Sequence, residues 1–182
     1  RIPPDEFSSI SERPGFLRLR LRPQKMSEQT NPSIVGRRQQ HIHFTAQAKL
    51  DFTPQTENEW AGLTLSQNND FHFLFVVTRE AESIVRLIKR AYAVEEVLAE
   101  QSVRAGEMYL KIEAHEQAYH FYFANQPGEW RAIAENVDGR ILSTPVAGGF
   151  VGAYIAMYAS SNGQPGTNHA DFDWFEYVGL DE

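Results

Sequence analysis

From Phe16 to Arg22 apolar and basic residues alternate, so that Leu17, Leu19 and Leu21 fall on one face of an extended chain and Arg18, Arg20 and Arg22 on the other. A longer run follows. Ile42, Phe44, Ala46, Ala48, Leu50 and Phe52 alternate with His41, His43, Thr45, Gln47, Lys49 and Asp51 until Pro54 ends the stretch. Trp60–Ser66 and Phe71–Thr78 repeat the period of two, and the turn-forming Asn68-Asn69-Asp70 between them predicts a hairpin. Further strands are predicted at Ile84–Arg90, Met108–Ala114, Tyr119–Ala124, Trp130–Ala134, Phe150–Tyr158 and Phe172–Val178. Tyr92–Gln101 stays undecided, because Val94, Val97, Leu98 and Gln101 recur at helical spacing in a Glu- and Ala-rich stretch.

About ten short strands without helical crossovers predict an all-β fold, an antiparallel two-sheet β-sandwich of jelly-roll type, because parallel strands would need connecting helices. The 182 residues, 42% of them hydrophobic, are enough for one domain with its own core spanning residues 1–182. Arg1–Pro14, with three prolines, is expected to be irregular chain leading into the first strand. The polar excursion Ser160–His169 is expected to be a mobile surface loop.

Charge narrows the partners. Seventeen Lys and Arg against 24 Asp and Glu leave a net charge of −7, which repels phosphate backbones and argues against nucleic acid. Without cysteine there are no disulfides, thiolate nucleophiles or Cys-based metal sites, although the compartment stays open. No apolar run approaches the roughly 20 residues of a membrane-spanning helix. The chain begins at Arg1, and it reads as a piece of something longer.

No Gly-rich phosphate cradle, Gly-x-Ser-x-Gly elbow or His-Glu-x-x-His occurs. His41 and His43 share a strand face and could hold zinc with a third ligand, but a solvated strand face explains them better. Candidate acid pairs for glycoside hydrolysis are Glu57 with Glu59, Glu95 with Glu96, and Asp171 with Asp173; the first two stand in turn or solvent-facing contexts. Asp171 and Asp173 flank Phe172, and alternation sends both carboxylates to one face while Phe172 and Trp174 point to the other. That arrangement suits Ca2+, against the plainer reading of a charged strand entry bonded to turn amides. An independent hydrolase built on these two acids ranks last, since neighbours on one strand cannot bracket a glycosidic bond. The aromatic share of 12% also admits a lectin-like carbohydrate-binding module, with Trp60 and Trp130 the most exposed candidates, although most aromatics must be core.

Arg13-Pro14-Gly15-Phe16-Leu17-Arg18-Leu19 resembles the "RPGxLRL" segment of the C-terminal β-sandwich of family 43 glycoside hydrolases, the β-xylosidase and α-arabinofuranosidase group. The resemblance continues in order through Asn31–His41, similar to that family's "NxSxxxRRQQ" strand, then Leu50–Pro54 and Ala61-Gly62-Leu63. It closes with Gly149–Ala153 and Ala170–Tyr177, similar to "FTGAxVG" and "ADFDYFxY".

This resemblance implies a concanavalin A-like sandwich fused behind a catalytic five-bladed β-propeller that holds the catalytic acids, so that this chain carries no catalytic residues. The implied function is a non-catalytic module of a xylo-oligosaccharide or arabinoside hydrolase, buttressing the propeller and completing its pocket wall. By motif position Phe150 would stand beside the substrate pocket, with a plain core role as the alternative. Arg37 and Arg38 match paired arginines on opposite strand faces, one meeting the propeller and one making a buried ion pair. Where the family often carries an Asp after the "FTGAxVG" strand, this chain has Ser160-Ser161, which puts that acid's role in doubt. Part of the first strand is expected to be missing, and self-association stays open.

Overall fold

The alternation of the longest predicted strand is realised at the centre of one sheet, where His43–Phe52 pairs antiparallel with Gly106–His115 along its whole length. The structure is a computed structural model that describes residues 6–149 and 152–180. In chain order its strands are β1 (Ser8–Ser9), β2 (Leu17–Arg20), β3 (Ser33–Arg38), β4 (His43–Phe52), β5 (Trp60–Asn68), β6 (Phe71–Arg79) and β7 (Ser83–Ala91). They continue as β8 (Val94–Ser102), β9 (Gly106–His115), β10 (Ala118–Ala124), β11 (Arg131–Asp138), β12 (Tyr154–Ser160) and β13 (His169–Gly179). Between β11 and β12 lie a 3-10 turn (Gly139–Leu142) and a single helical turn, α1 (Thr144–Ala147).

Two antiparallel sheets result, one ordered β1-β2-β13-β4-β9-β10-β11 and the other β3-β12-β5-β6-β7-β8. This is the expected two-sheet sandwich. Its core is the row of inward residues that alternation assigned, including Leu19, Phe44, Leu50, Leu63, Leu65, Phe73, Phe75, Leu110, Phe121, Phe123 and Phe172, all essentially inaccessible to water. Burying each such side chain is worth roughly 1.5–3 kcal/mol.

Three local departures have physical causes. Val94–Ser102, left undecided above, is a strand. Tyr92 and Ala93 both adopt positive φ (52° and 63°), as the two-residue hairpin between β7 and β8 requires. Lys89 and Arg90 then pair across the strands with Glu96 (2.6 Å) and Glu95 (3.1 Å), and a register shift near Leu98 breaks the period of two and produces the helix-like spacing. The head is not wholly irregular, because Ser8 and Ser9 pair with Leu19 and Arg18. Finally, β13 carries a bulge between Phe172 and Trp174, where they pair with the adjacent Leu50 and Lys49. The extra residue shifts the phase, so Trp174 turns outward beside Tyr109 (ring centroids 6.3 Å apart) and is 37% exposed instead of facing the core with Phe172.

The outer face of the six-stranded sheet is covered as well. The connection from β2 to β3 crosses it as a strap, and Met26 seats on a second apolar cluster of Leu74, Val76, Ile88 and Tyr158. Ser160 Oγ donates to Gln24 O (2.9 Å), Gly163 N donates to Pro23 O (2.8 Å), and Asn69 Nδ2 donates to Met26 O (3.0 Å), which ties the strap at several points. The same bonds anchor the near end of Ser160–His169. At its far end Asn168 Nδ2 donates to Glu59 (2.7 Å), so the excursion is moored at both ends despite its polar composition.

His72 is fully buried under this cover, and desolvation, only partly offset by bonds to the Asn68 and Asn69 backbone, pushes its pKa down from 6.5 to about 4, with Arg90 and Asp70 the nearby charges. The unfolded chain therefore takes up the proton first. His72 contributes stability that is complete above about pH 6.5 and disappears as the pH falls towards 4, a loss of about 3 kcal/mol. Urea unfolding at the two ends of this window should show the loss, and His72→Gln should flatten it; an unchanged pH profile in that variant refutes the assignment.

Candidate functional site

One end of the sandwich carries Arg37 and Arg38. There β3 ends at Arg38 and β12 begins at Tyr154, directly paired with it. The 3-10 turn after β11 packs onto Tyr119, where a Cβ on Gly139 would collide with the tyrosine ring. Gly139 N also donates to Gln117 O at 2.8 Å. After α1, Asn68 Nδ2 donates to Ala147 O at 3.3 Å, fastening the segment to the end of β5. Gly148 and Gly149 follow with φ of 71° and 82°, a backbone suited to glycine, and Gln39 N donates to Ala153 O (2.8 Å) where the chain re-enters β12. Residues 139–149 thus form a rim at this end of the sandwich. Phe150 itself lies outside the described residues, although its neighbours Gly149 and Gly152 are described.

Beside the rim is an open cleft of about 330 Å³, with His41, Tyr119, Arg140, Leu142 and Ala153 among its walls. Buried Tyr119 donates its hydroxyl to Gln39 Oε1 (3.3 Å), and desolvation pushes its pKa up to about 12, so it is a neutral structural donor here. Ile42 and Tyr154 stand 60% and 39% exposed at this end.

Arg37 and Arg38 are both exposed, and neither makes an ion pair among the described residues, which corrects the expected buried pair. The reason is position: they end an edge strand, past the reach of the core. Arg37 lies over the Tyr177 ring at 4.4 Å and bonds Gln40, while Arg38 donates to the Tyr154 hydroxyl at 3.1 Å. Arginine and aromatic side chains are residue types enriched in protein contact surfaces.

Asp171 belongs to a different feature. The turn Arg13-Pro14-Gly15-Phe16, with Gly15 at φ 88°, folds Arg13 back onto the outer face of the seven-stranded sheet. Arg13 bonds Asp51 (2.8 Å) and Asp171 (3.0 Å), and Arg18 grips both oxygens of Asp171 at 2.7 and 2.8 Å. Burial alone would raise the Asp171 pKa, but the hydrogen bonds from Arg18 and then Arg13 outweigh it and hold the carboxyl below its ordinary range. Asp173 sits on the bulge with Lys49 at 3.1 Å, and Asp171 and Asp173 do not form a shared site. The donor set does not fit calcium, since guanidinium groups already occupy the Asp171 oxygens and a dication would face their charge.

The remaining candidates separate similarly. His41 precedes β4 and bonds the Tyr177 hydroxyl (3.1 Å) instead of sharing a strand face with His43, which pairs with His115. Glu59 is buried, not solvent-facing, because it caps the turn before β5 by accepting from Gln55 N (2.7 Å). Glu95 and Glu96 pair with Arg90 and Lys89. Trp60 and Trp130 are half-buried; the first donates to Glu57 O (2.8 Å) and the second lies under Lys111 Nζ at 4.7 Å. Among the described residues no group of three His, Cys, Asp or Glu is arranged to hold a metal.

An antiparallel seven-on-six sandwich of this kind belongs to the concanavalin A-like class of folds. The family described as Beta xylosidase C-terminal Concanavalin A-like domain matches residues 1–178, and the chain belongs to it. The chain is 37% identical to a non-reducing end alpha-L-arabinofuranosidase of Bacteroides ovatus, over 100% of this chain and 34% of the relative. It is 35% identical to a xylosidase/arabinosidase of Butyrivibrio fibrisolvens, over 94% of this chain and 33% of that protein. Among solved structures, "Bacteroides ovatus Xyloglucan PUL GH43B" superposes with a TM-score of 0.91 at 35% identity, covering 99% of this chain and 36% of that one. A xylan beta-1,4-xylosidase from Bacillus halodurans gives 0.88 at 27% identity, with 97% and 35% covered. The chain therefore spans about a third of the length of these relatives, as the sequence resemblance implied.

Proposed function

We propose that this chain is the non-catalytic sandwich of a family 43 glycoside hydrolase acting on xylosides or arabinosides, and that it buttresses a catalytic five-bladed β-propeller in the same parent chain. The segment 139–149 helps to complete the wall of the propeller's pocket, to which Phe150 contributes, while Arg37, Arg38, Ile42 and Tyr154 form the docking surface. The observation that carries this reading is the coincidence, at one end of the sandwich, of exposed arginines, bare apolar side chains and the rim. A wall placed this way narrows the pocket and excludes water, which favours short substrates.

The purified 182-residue chain is expected to cleave neither nitrophenyl xyloside nor nitrophenyl arabinofuranoside; hydrolysis that survives repurification would defeat the proposal. Addition of the parent's separately expressed catalytic domain should form a complex. Arg37→Glu combined with Arg38→Glu should weaken that complex about tenfold by removing charge complementarity.

A further inference from the structure

Three imidazoles stand side by side on the outer face of the seven-stranded sheet, at the end where β4 begins and β9 finishes. His43 and His115 lie directly opposite each other, and their neighbours Phe44 and Ala114 are fully buried, so both rings project to the outer side. Glu116 N donates to Ile42 O (3.0 Å), which makes His43 and His115 a non-hydrogen-bonded pair, the kind whose side chains approach most closely. Their ring centroids are 6.0 Å apart. His120, on β10, follows at 5.8 Å from His115.

Imidazole nitrogen is a favoured ligand of divalent transition metals, and a chain without cysteine offers them no thiolate instead. With Zn–N bonds of about 2.0–2.1 Å, a zinc ion shared by two imidazoles holds their ring centres roughly 5 Å apart. A small rotation of the exposed His115 ring closes the difference.

The neighbours limit the ligand count to two. His120 Nδ1 accepts from Asn136 N (3.4 Å), which leaves the ring proton on Nε2 and removes the nitrogen that would bind. Glu113, opposite His120, is held by Lys111 at 2.7 Å. Two nitrogens with water completing the shell make an exchangeable site. Magnesium and calcium, which take oxygen ligands, do not suit it.

We propose that His43 and His115 chelate one divalent transition-metal ion of the zinc, nickel or copper type, clipping β4 to β9 across the strands. The site does not depend on docking to a catalytic domain and stands if that role fails.

The test is titration of the chain with zinc chloride, read by calorimetry and by the NMR shifts of the histidine ring protons, with magnesium chloride in parallel. One saturable zinc ion per chain is expected, shifting His43 and His115, with no response to magnesium. His43→Gln and His115→Gln should each weaken binding at least tenfold, whereas His41→Gln leaves it unchanged, because that ring is engaged by the Tyr177 hydroxyl. Zinc should also raise the thermal midpoint of the chain but not that of the His115 variant. The same scans without metal show that each variant is folded. Absence of saturable zinc binding, an equal response to magnesium, undiminished affinity in a folded His43 or His115 variant, or shifts confined to other histidines overturns the proposal.

Discussion

Asp171→Ala lowers the stability of the chain by about 3 kcal/mol at neutral pH. Removing one partner of a buried ion pair ordinarily costs about 3–5 kcal/mol because the other charge is left unmatched. The lower end applies here, because Arg13 retains Asp51 and Arg18 can turn to Glu12, 3.3 Å from its Nη1. For a domain of this size the loss corresponds to a fall in Tm of roughly 6–12 °C. Asp173→Ala should cost no more than about 1 kcal/mol, since its carboxylate is partly exposed and pairs with Lys49, which also has Glu107 at 3.1 Å. Chemical unfolding of the two variants, with and without added calcium, checks the contrast. Equal losses, or recovery of the Asp171 variant by calcium, would show that the carboxylate has another role. The hydrogen-bonded carboxyl also has a pH signature: its folded pKa is depressed, so its contribution is present at neutral pH and is lost as the pH falls below the ordinary carboxylate range.

Phe121→Ala is expected to be at least as damaging, at about 4 kcal/mol. The ring is fully buried and meets Phe75 edge-on at 5.5 Å and Phe73 at 5.8 Å, so truncation removes contacts to both facing rings. Those neighbours come from β6 in the opposite sheet, whose other face is also covered, which leaves little freedom to collapse into the void. A shift of the urea midpoint at constant slope measures the effect, and a loss below about 2 kcal/mol would show that the core repacks around the cavity.

Much of this architecture is legible in the order of residues, for reasons that also mark where legibility ends. β4 is plain because half of its side chains are oily and half wet. The turn Arg13-Pro14-Gly15-Phe16 is equally plain, but the destination of its arginine, Asp51 and Asp171, depends on pairing with strands far along the chain. Alternation misplaces Trp174 because a bulge contributes one residue that the period of two does not anticipate. Val94–Ser102 resists reading because its hairpin turn, Tyr92-Ala93, lacks the Asn or Gly that usually marks positive φ. His72 shows the deepest limit. In Phe-His-Phe-Leu-Phe it reads as the wet side of a strand, and only the strap, some 45 residues earlier in the chain, makes it a buried group. Of the predicted site residues, Arg37 and Arg38 stand exposed at the end of an edge strand, while Asp171 and Asp173 proved to be a clasp and a bulge.

The placement of β13 has a temporal consequence. It lies between β2 and β4, so the seven-stranded layer cannot be assembled in the order in which the chain is made. Leu17–Arg20 must wait, unpaired on that flank, for His169–Phe172 to leave the ribosome. Completion of the layer is therefore a long-range and slow event.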